Sequence, residues 1–365
     1  YKDYSNALKS ISKALKIRPN IADAYNNLGT AELNLENESE AIKSYNKAIK
    51  IDPKFVLAYS NLCGLYERSN KLEKLKETLN KAENQGLSGN EEIKFRRGQL
   101  NSRNKDFKNS ILYLENVDDT KISNKMKIDK YELLGKDYDK IKHYKKAFNC
   151  FKKSNSLVSL SVESQLYNAK NYQNEVSQLI ISYSKIKKLK WESKLENKIV
   201  SPVFLVGFPR SGTTLLDNIL SSHPNISTLE EKPMIAMVKK SLNKLASYEN
   251  LKKLNANDLQ KLQKIYLDEL SKYLPIELLY GNVFIDKLPL NIIDVSLILR
   301  IFPKAKFILA IRHPLDCILS CFMQTFNLND AMANFLNLKN TADLYNKSMK
   351  LFDIYESIFK LDIHL

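Results

Sequence analysis

The sequence predicts a multidomain chain in which an all-α repeat solenoid precedes an α/β domain built on a parallel sheet. Two observations carry this prediction. A pattern of Ala, aromatic residues and Pro recurs at a fixed offset in the first half, and an apolar run, a glycine-bearing loop and a helical pattern follow one another in the second. The 365 residues suffice for two domains of about 100–200 residues each. The low content of helix-breaking residues, with only 9 Gly and 10 Pro, favours long helices.

The first half contains an internal repeat. Ala7 and Pro19 return as Ala41 and Pro53, an offset of 41 − 7 = 34 residues. This period and residue pattern resemble the tetratricopeptide repeat, a pair of helices that stacks on its neighbours into a solenoid. We expect four to five units across residues 1–155, the first of them truncated, with insertions near 84–90 and 118–128. The predicted groove suits a peptide or a partner protein, and a scaffold or dimerisation arm is an equally good interpretation.

Residues 156–198 are predicted to form a helical linker of one or two helices. The segment from Lys185 to Lys194 is basic and amphipathic. We interpret it as a packed helix with Trp191 buried, and a helix lying on a membrane surface is the alternative. No apolar stretch reaches the roughly 18–20 residues that span a bilayer.

The net charge is strongly positive, since 57 Lys and Arg stand against 41 Asp and Glu and give 57 − 41 = +16. The Lys residues are spread along the whole chain and no nucleic-acid-binding motif accompanies them, so we expect solvated helix surfaces and no nucleic-acid partner. Cys317 and Cys321 are four residues apart but lack the further ligands of a zinc site. We therefore predict no metal, reduced cysteines and a cytoplasmic chain whose true N-terminus is missing.

The second half contains a loop suited to an anion. Val203–Gly207 is an apolar, β-branched run, and the spacing from Gly207 to Gly212 is that of a nucleotide P-loop. A P-loop NTPase needs Lys where this chain has Thr213, and it needs an acidic residue at the end of a nearby strand. The strand predicted at 307–311 is instead followed by Arg312. The loop is thus P-loop-like, but ordinary ATP hydrolysis is disfavoured, and Arg210 supplies the positive charge.

The run Pro209-Arg-Ser-Gly-Thr-Thr214, followed by Ser222-His-Pro224, resembles the 5′-phosphosulfate loop of sulfotransferases. By motif the sequence is similar to tyrosylprotein sulfotransferases and to bacterial proteins that join tetratricopeptide repeats to such a domain. The resemblance implies a sulfotransferase domain over 199–365, which we expect to be C-terminally incomplete. It also implies transfer of a sulfuryl group from 3′-phosphoadenosine 5′-phosphosulfate (PAPS) to an acceptor hydroxyl, without a metal.

The resemblance also assigns donor-binding residues. The loop residues Ser211, Gly212, Thr213 and Thr214, together with Arg210, would hold the 5′-phosphosulfate. After the strand predicted at 307–311, Arg312 and, eight residues later, Ser320 match the positions that bind the 3′-phosphate. An ordinary surface arginine is the alternative for Arg312.

Two further residues are assigned to catalysis. The family's base is the second of two adjacent Glu, 21 residues after the loop Arg, and 210 + 21 = 231 points to Glu231. Lys287 matches the lysine that, together with Arg210, balances charge on the leaving nucleotide. The alternatives are helix-start capping for the two Glu and a surface lysine before a turn. Lys232, Pro233 and Asp286 depart from the family pattern.

A non-catalytic interaction protein with a degenerate nucleotide-binding module is the main alternative function. This alternative is disfavoured because a degenerate module would have lost some of the family's functional residues. All five of them are present, namely Arg210, Glu231, Lys287, Arg312 and Ser320. A P-loop kinase and a nucleic-acid-binding protein are the remaining alternatives. Among acceptors, a peptide tyrosine is favoured, and the hydroxyl of a carbohydrate, a lipid or a small molecule stays open.

Overall fold

A computed structural model describes residues 3–191, 201–275 and 283–364. The chain divides into two compact units, residues 1–157 and 158–365. They are called the repeat unit and the sheet unit below. Within the described residues, no helix is both long and apolar enough to cross a membrane.

The repeat unit is entirely helical over its described residues. Four pairs of consecutive helices follow the single helix α1, in agreement with the predicted repeat. The connections between pairs are longest at residues 85–90 and 116–123, close to the two predicted insertions, and the second contains a 3₁₀ helix at Asp119–Lys121. The α-helices are Tyr4–Ile17 (α1), Ala22–Asn34 (α2), Glu38–Ile51 (α3), Val56–Arg68 (α4), Leu72–Asn84 (α5), Glu91–Arg103 (α6), Phe107–Glu115 (α7), Asn124–Lys140 (α8) and Tyr144–Ser159 (α9).

The turn inside each helix pair has the same backbone conformation. A residue with positive φ lies two positions after the first helix of the pair at Glu36, Asn70, Lys105 and Lys142, where φ is between 54° and 65°. This left-handed residue ends a helix and reverses the chain within a few residues. The recurrence of one turn type explains why the helix pairs repeat even where the sequence pattern is weak.

Close packing inside the helix pairs depends on glycine. A Cβ atom on Gly29 would lie 2.9 Å from the ring of Tyr45, and one on Gly135 would lie 2.8 Å from the ring of Phe151. In the α4–α5 pair, Cys63 takes the place of this glycine and is fully buried. The small residue lets the next helix of the pair bring a large side chain against it.

The sheet unit is built on five parallel strands in the order β2–β3–β1–β4–β5. From the central strand β1 the chain runs to the edge strand β2, returns to β3 beside β1, and then forms β4 and β5 on the other side of β1. The carboxyl end of β1 is therefore the point where an open α/β sheet offers a crevice to a ligand. The strands are Val203–Gly207 (β1), Ile226–Glu230 (β2), Val283–Lys287 (β3), Lys306–Ala310 (β4) and Ile363–His364 (β5).

Helices and 3₁₀ turns connect these strands. The buried core includes Phe204 of β1, whose ring contacts Tyr266, Phe302 and Phe307. The α-helices are Ala169–Tyr183 (α10), Thr213–Ser221 (α11), Met234–Leu242 (α12), Tyr248–Leu251 (α13), Ala256–Leu270 (α14), Val295–Ile301 (α15), Pro314–Phe322 (α16) and Leu338–Phe359 (α17), and the 3₁₀ turns are Glu163–Leu166, Pro289–Ile293 and Met332–Leu336.

The helical linker predicted for 156–198 is correct only in part. Helix α10 forms there, but residues 184–191 are a turn and extended chain, and residues 192–198 lie outside the described residues. The amphipathic pattern gives way because Leu189 donates its backbone N–H to the Ile358 carbonyl at 2.8 Å. Trp191 is buried as predicted and packs against Tyr248 and Phe359. Tertiary packing thus overrides the local periodicity.

Candidate functional site

The loop between β1 and α11 crosses the carboxyl edge of the sheet. A Cβ atom on Gly207 would lie 2.7 Å from the Ala310 carbonyl oxygen of β4, so only glycine allows the loop to start this close to the neighbouring strand. Gly212 has φ = 103° and caps the start of α11. The first N–H groups of α11 have no acceptor within the helix, and the helix dipole favours an anion at this end.

Beneath this loop, the Ser211 hydroxyl is buried without a hydrogen-bond partner among the described residues. It lies 2.8 Å from where a Gly207 Cβ would stand. Thr213 is also buried, whereas Gly212 and Thr214 are exposed on the cavity side of the loop. A buried hydroxyl that has no partner is available to a ligand oxygen.

Two arginines meet at the loop. Arg210 has φ = 70°, a conformation that a residue with a side chain adopts at a cost, and such backbone strain concentrates at functional sites. Its Nε donates to the Ser320 hydroxyl at 3.1 Å. Arg312 donates to the Arg210 carbonyl at 3.4 Å and lies 3.4 Å from Asp316. The structure thus brings Arg210 together with Arg312 and Ser320, which stand about a hundred residues later in the sequence.

At the carboxyl ends of β2 and β3, a buried lysine contacts two carboxylates. Lys287 is fully buried, and its Nζ lies 2.6 Å from Glu230 and 2.9 Å from Glu231. Its Nζ also donates to the Thr214 hydroxyl at 3.2 Å, which links this cluster to the start of α11, next to the loop between β1 and α11. The interpretation of Lys287 as a surface lysine is therefore wrong.

Local backbone geometry brings Glu231 to this lysine. The N–H of Glu231 donates to the Lys287 carbonyl at 2.7 Å, and φ of Glu231 is 51°. Glu230 ends strand β2 and does not start a helix, so the capping interpretation of the two Glu is also wrong. The hydrogen bond from Lys287 lowers the pKa of Glu230, while burial opposes this shift. Glu230 is therefore ionised at neutral pH and holds the ammonium group.

A cavity of about 430 Å³ lies in front of these groups. Six of the nine site residues expected from the sequence line it, which are Arg210, Gly212, Thr213, Thr214, Glu231 and Arg312. Ser320 and Lys287 contact lining residues from behind, and Ser211 lies beneath the loop. The cavity is therefore basic at the loop and carries one exposed carboxylate, Glu231, at its wall.

Sequence reasoning missed one partner of Lys287 and several residues that line the cavity. Glu230 was set aside as a cap, although its place beside Glu231 could have suggested a shared partner. Leu288 and Leu290 follow Lys287 directly, while Phe326 and Met332 come after α16 and carried no motif. Among the described residues, no group of three or more His, Cys, Asp or Glu side chains could hold a metal ion.

Comparison with protein families matches both halves of the chain. The sulfotransferase family model matches residues 202–364, and a tetratricopeptide repeat model matches residues 22–55, which span α2 and α3. The crystal structure of the APC/C hetero-tetramer Cut9-Hcn1 is 18% identical, with a TM-score of 0.40 over 42% of this chain and 30% of that chain. This last likeness is too distant to support any statement on function.

Two curated relatives match parts of the sequence. An uncharacterized protein of Aquifex aeolicus (strain VF5) is 27% identical over 244 residues, which is 64% of this chain and 31% of that protein. Protein-tyrosine sulfotransferase 1 of Danio rerio is 28% identical over 121 residues, which is 32% of this chain and 34% of that protein. The chain spans about a third of the length of these relatives.

Proposed function

We propose that this chain, which joins tetratricopeptide repeats to a domain of the sulfotransferase family, transfers the sulfuryl group of PAPS to an acceptor hydroxyl, with a peptide tyrosine as the favoured acceptor. The observation that carries the proposal is the contact of Lys287 with Glu231 beside the phosphate loop, at 2.9 Å. On this proposal a base, Glu231, and a buried cation, Lys287, lie next to the loop between β1 and α11, which binds the anionic donor.

The donor end of the cavity fits a phosphosulfate. The N-terminus of α11 and the side chains of Thr213, Thr214 and Arg210 offer hydrogen-bond donors, and the unpartnered Ser211 hydroxyl adds one more. Arg312, exposed at the end of β4, is assigned to the 3′-phosphate because guanidinium binds phosphate oxygens in pairs. Ser320 would hold Arg210 in place and reach the same phosphate.

Glu231 is assigned as the general base. Its carboxylate is about half exposed, at 55%, and lines the cavity, so an acceptor hydroxyl can approach it. The acceptor oxygen forms a bond to sulfur while Glu231 accepts the hydroxyl proton. The bond from sulfur to the bridging oxygen breaks, and its electron pair stays on the nucleotide phosphate.

Lys287 and Arg210 are assigned to the charge that develops on this leaving phosphate. A buried ammonium group stabilises a nearby anion more strongly than an exposed one because no water competes for it. Glu230 keeps the ammonium in position at 2.6 Å. On this assignment Lys287 keeps its contact with Glu230 and turns from Glu231 toward the bridging oxygen once the donor is bound.

The repeat unit is assigned to binding of a protein or peptide. A groove of about 850 Å³ runs between α5, α6 and α7, and amide side chains such as Asn80 and Asn101 line it together with Arg97. Amides pair with the N–H and C=O groups of an extended peptide. Replacement of Asn101 by Ala is expected to weaken binding of a long acceptor peptide and to leave binding of tyrosine amide unchanged, which titration of both ligands measures.

The first experiment is calorimetric titration with 3′-phosphoadenosine 5′-phosphate, with ADP as the control. Tight binding of the former and weak binding of ADP are expected, and Arg312→Ala should remove the difference. Equal binding of both nucleotides would favour the non-catalytic nucleotide-binding alternative. Failure of both to bind would contradict the assigned donor site.

The second experiment compares the two neighbouring carboxylates. Glu231→Gln is expected to lower turnover by about 10²–10⁴-fold, the usual contribution of a general base, while nucleotide affinity changes little. Glu230→Gln is the matched control, because it alters the same ion cluster without removing the assigned base. Full turnover of the Glu231→Gln variant would show that the base is another group.

A further inference from the structure

A second cavity of about 340 Å³ adjoins the first one. The two share Leu288, Leu290 and Met332 as lining residues, so a molecule in the second cavity reaches the wall of the first beside Glu231. We propose that the second cavity binds the body of the acceptor, that this body is a phenol whose substituent is neutral or cationic and not anionic, and that Asn291 donates a hydrogen bond to it. The proposal rests on the function proposed above.

The walls of the second cavity favour a flat apolar group. Leu288, Leu290 and Met332, which also line the first cavity, are apolar, and Ala236 and Ala331 add small apolar side chains to the lining. A phenyl ring gains more from burial against such a wall than an aliphatic polyol does, and methionine sulfur makes favourable contacts with aromatic rings. The hydroxyl of a phenol bound here can point into the first cavity, toward the base.

Asn291 provides a polar group that the fold itself does not use. The residue is only 2% exposed, it lines the second cavity, and its Nδ2 has no hydrogen-bond partner among the described residues. A buried amide without a partner is unfavourable for the fold, and a ligand oxygen placed there removes this penalty. We expect the acceptor to offer a carbonyl or hydroxyl oxygen next to its ring.

The charge at the second cavity selects against anions. Lys239 is the lysine that lines it, and this side chain is held at 2.8 Å from Glu175 and 3.0 Å from Asp294. Burial opposes the charge of Lys239, but the two carboxylates together raise its pKa. Asp330 adds a further carboxylate to the lining. Two carboxylates thus pair with the one ammonium group and Asp330 adds a third negative charge at the cavity, so an anionic acceptor would be repelled although the whole chain is basic.

The test uses phenols of nearly equal shape. These are 4-hydroxyphenylacetamide, which is neutral, 4-hydroxyphenylacetate, which is anionic at pH 7, and 4-methylphenol, which lacks the carbonyl. Each is titrated into the full chain by ligand-observed NMR, with and without 3′-phosphoadenosine 5′-phosphate. We expect the amide to bind about tenfold more tightly than the carboxylate, as one uncompensated charge at short range requires.

Two variants locate the binding. Ala236→Phe fills the second cavity from its exposed rim and should weaken the amide about tenfold or more, whereas Ser241→Phe, on an exposed position of the same helix outside the cavity lining, should not. Asn291→Leu keeps the volume and removes the donor. It should weaken the amide several-fold and leave 4-methylphenol unchanged.

The outcomes separate this proposal from the proposed function. Lack of amide binding, equal binding of amide and carboxylate, or equal binding to the chain and to the Ala236→Phe variant would each overturn the acceptor assignment. Nucleotide binding in the same experiments would leave the donor site standing. Phenol binding with the expected variant pattern but without nucleotide binding would support the cavity and contradict the transferase.

Discussion

The repeat unit and the sheet unit treat buried polar side chains in opposite ways. In the repeat unit, the buried Asp137 accepts hydrogen bonds from Ser102 at 2.6 Å and Ser110 at 2.5 Å. In the sheet unit, the buried Ser211 hydroxyl and the Asn291 amide have no partner among the described residues. Buried polar groups in folded proteins are normally paired. The difference teaches that the repeat unit uses its polar interior for stability, while the sheet edge keeps polar groups available for ligands.

The buried lysines follow the same division. Lys130 of the repeat unit donates to the Val117 carbonyl and to Asp119, and these contacts join α8 to the loop before it. Lys287 of the sheet unit contacts Glu230 and Glu231, whose carboxylates are about half exposed, and Glu231 lines the cavity. One buried cation closes a loop, whereas the other has partners that a ligand can displace.

The largest expected effect separates these two lysines. Lys287→Met should lower turnover by about 10²–10³-fold, because the buried charge next to the leaving phosphate is lost. Lys130→Met should lower the stability of the repeat unit by about 3 kcal/mol, since it leaves Asp119 and the Val117 carbonyl without their donor, and turnover per folded molecule should stay unchanged. Steady-state kinetics and denaturant unfolding of both variants measure the two effects.

A reversed result would break the comparison. If Lys130→Met lowered turnover of the folded protein as much as Lys287→Met does, the repeat unit would contribute to the chemistry. If Lys287→Met changed only stability, the cluster with Glu230 and Glu231 would be structural.

The next effect concerns stability alone. Asp137→Ala removes the acceptor of the buried Ser110 hydroxyl and the half-buried Ser102 hydroxyl, and should destabilise the repeat unit by about 2–3 kcal/mol. Hydrogen exchange along α6, α7 and α8 should speed up, while nucleotide binding by the sheet unit should not change. The matched variant Asp139→Ala alters the same helix without removing these contacts. Equal protection in the Asp137 variant and the unaltered chain would show that the hydroxyls find other partners.

A pH dependence is expected from Asp286. This residue is 1% exposed, burial raises its pKa to about 7, and the hydrogen bond from Tyr266 at 2.7 Å opposes that shift. The unfolded chain has a carboxyl pKa of about 3.9, so between about pH 4 and 7 the folded state holds the extra proton. The free energy of unfolding then falls as pH rises, by up to about 1.4 kcal/mol per pH unit, and the contribution is fully present only below pH 4.

Asp286→Asn should remove this slope. The variant should match the unaltered chain at pH 4 and be more stable at pH 8, because the amide stays neutral and still accepts from Tyr266. Trp191, the one tryptophan of the sequence, lies buried in the sheet unit and reports its unfolding by fluorescence in urea. Asp268→Asn, at an exposed position of α14, serves as the control. A slope that persists in the Asp286 variant would mean that another group titrates.

The sequence predicted those parts of the site that lie within one motif. The loop between β1 and α11 could be located because Gly207 and Gly212 meet backbone demands that hold for any chain with this layout, and its binding of a phosphate stays a prediction. Glu231 was assigned by its distance from Arg210 in a family pattern, and the structure places it at the cavity. Local spacing carries such information because each motif spans one strand, one turn and the start of one helix.

What the sequence did not show depends on the meeting of distant segments. Lys287 was assigned from the family pattern alone, with a surface lysine as the alternative, since nothing in its own segment reveals that β2 would bring Glu230 and Glu231 over it. The segment after Lys185 has a helical pattern, but packing of Trp191 against Phe359 decides its path. The second cavity combines residues of α12, the turn after β3 and the segment after α16. Contacts of this kind follow from the topology of the sheet.

The smallest expected effect compares two buried serines, one from each unit. Ser211→Ala should leave the stability of the sheet unit unchanged within about 0.5 kcal/mol, because its hydroxyl has no partner to lose, and should weaken 3′-phosphoadenosine 5′-phosphate about tenfold, because a ligand oxygen loses its donor. Ser110→Ala should do the opposite. Its hydroxyl donates to Asp137, so the repeat unit should lose about 1–2 kcal/mol while nucleotide affinity stays the same.

Calorimetry measures the nucleotide affinity of both variants, and denaturant unfolding measures their stability. A Ser211→Ala variant that binds the nucleotide as well as the unaltered chain would show that the unpartnered hydroxyl is a packing feature of the loop. A destabilised Ser211→Ala variant would show that the hydroxyl already has a partner, such as an ordered water. Either result would remove the contrast between the two units for this pair of serines, since the comparison depends on the Ser110 hydroxyl having a partner within the fold and the Ser211 hydroxyl having none among the described residues.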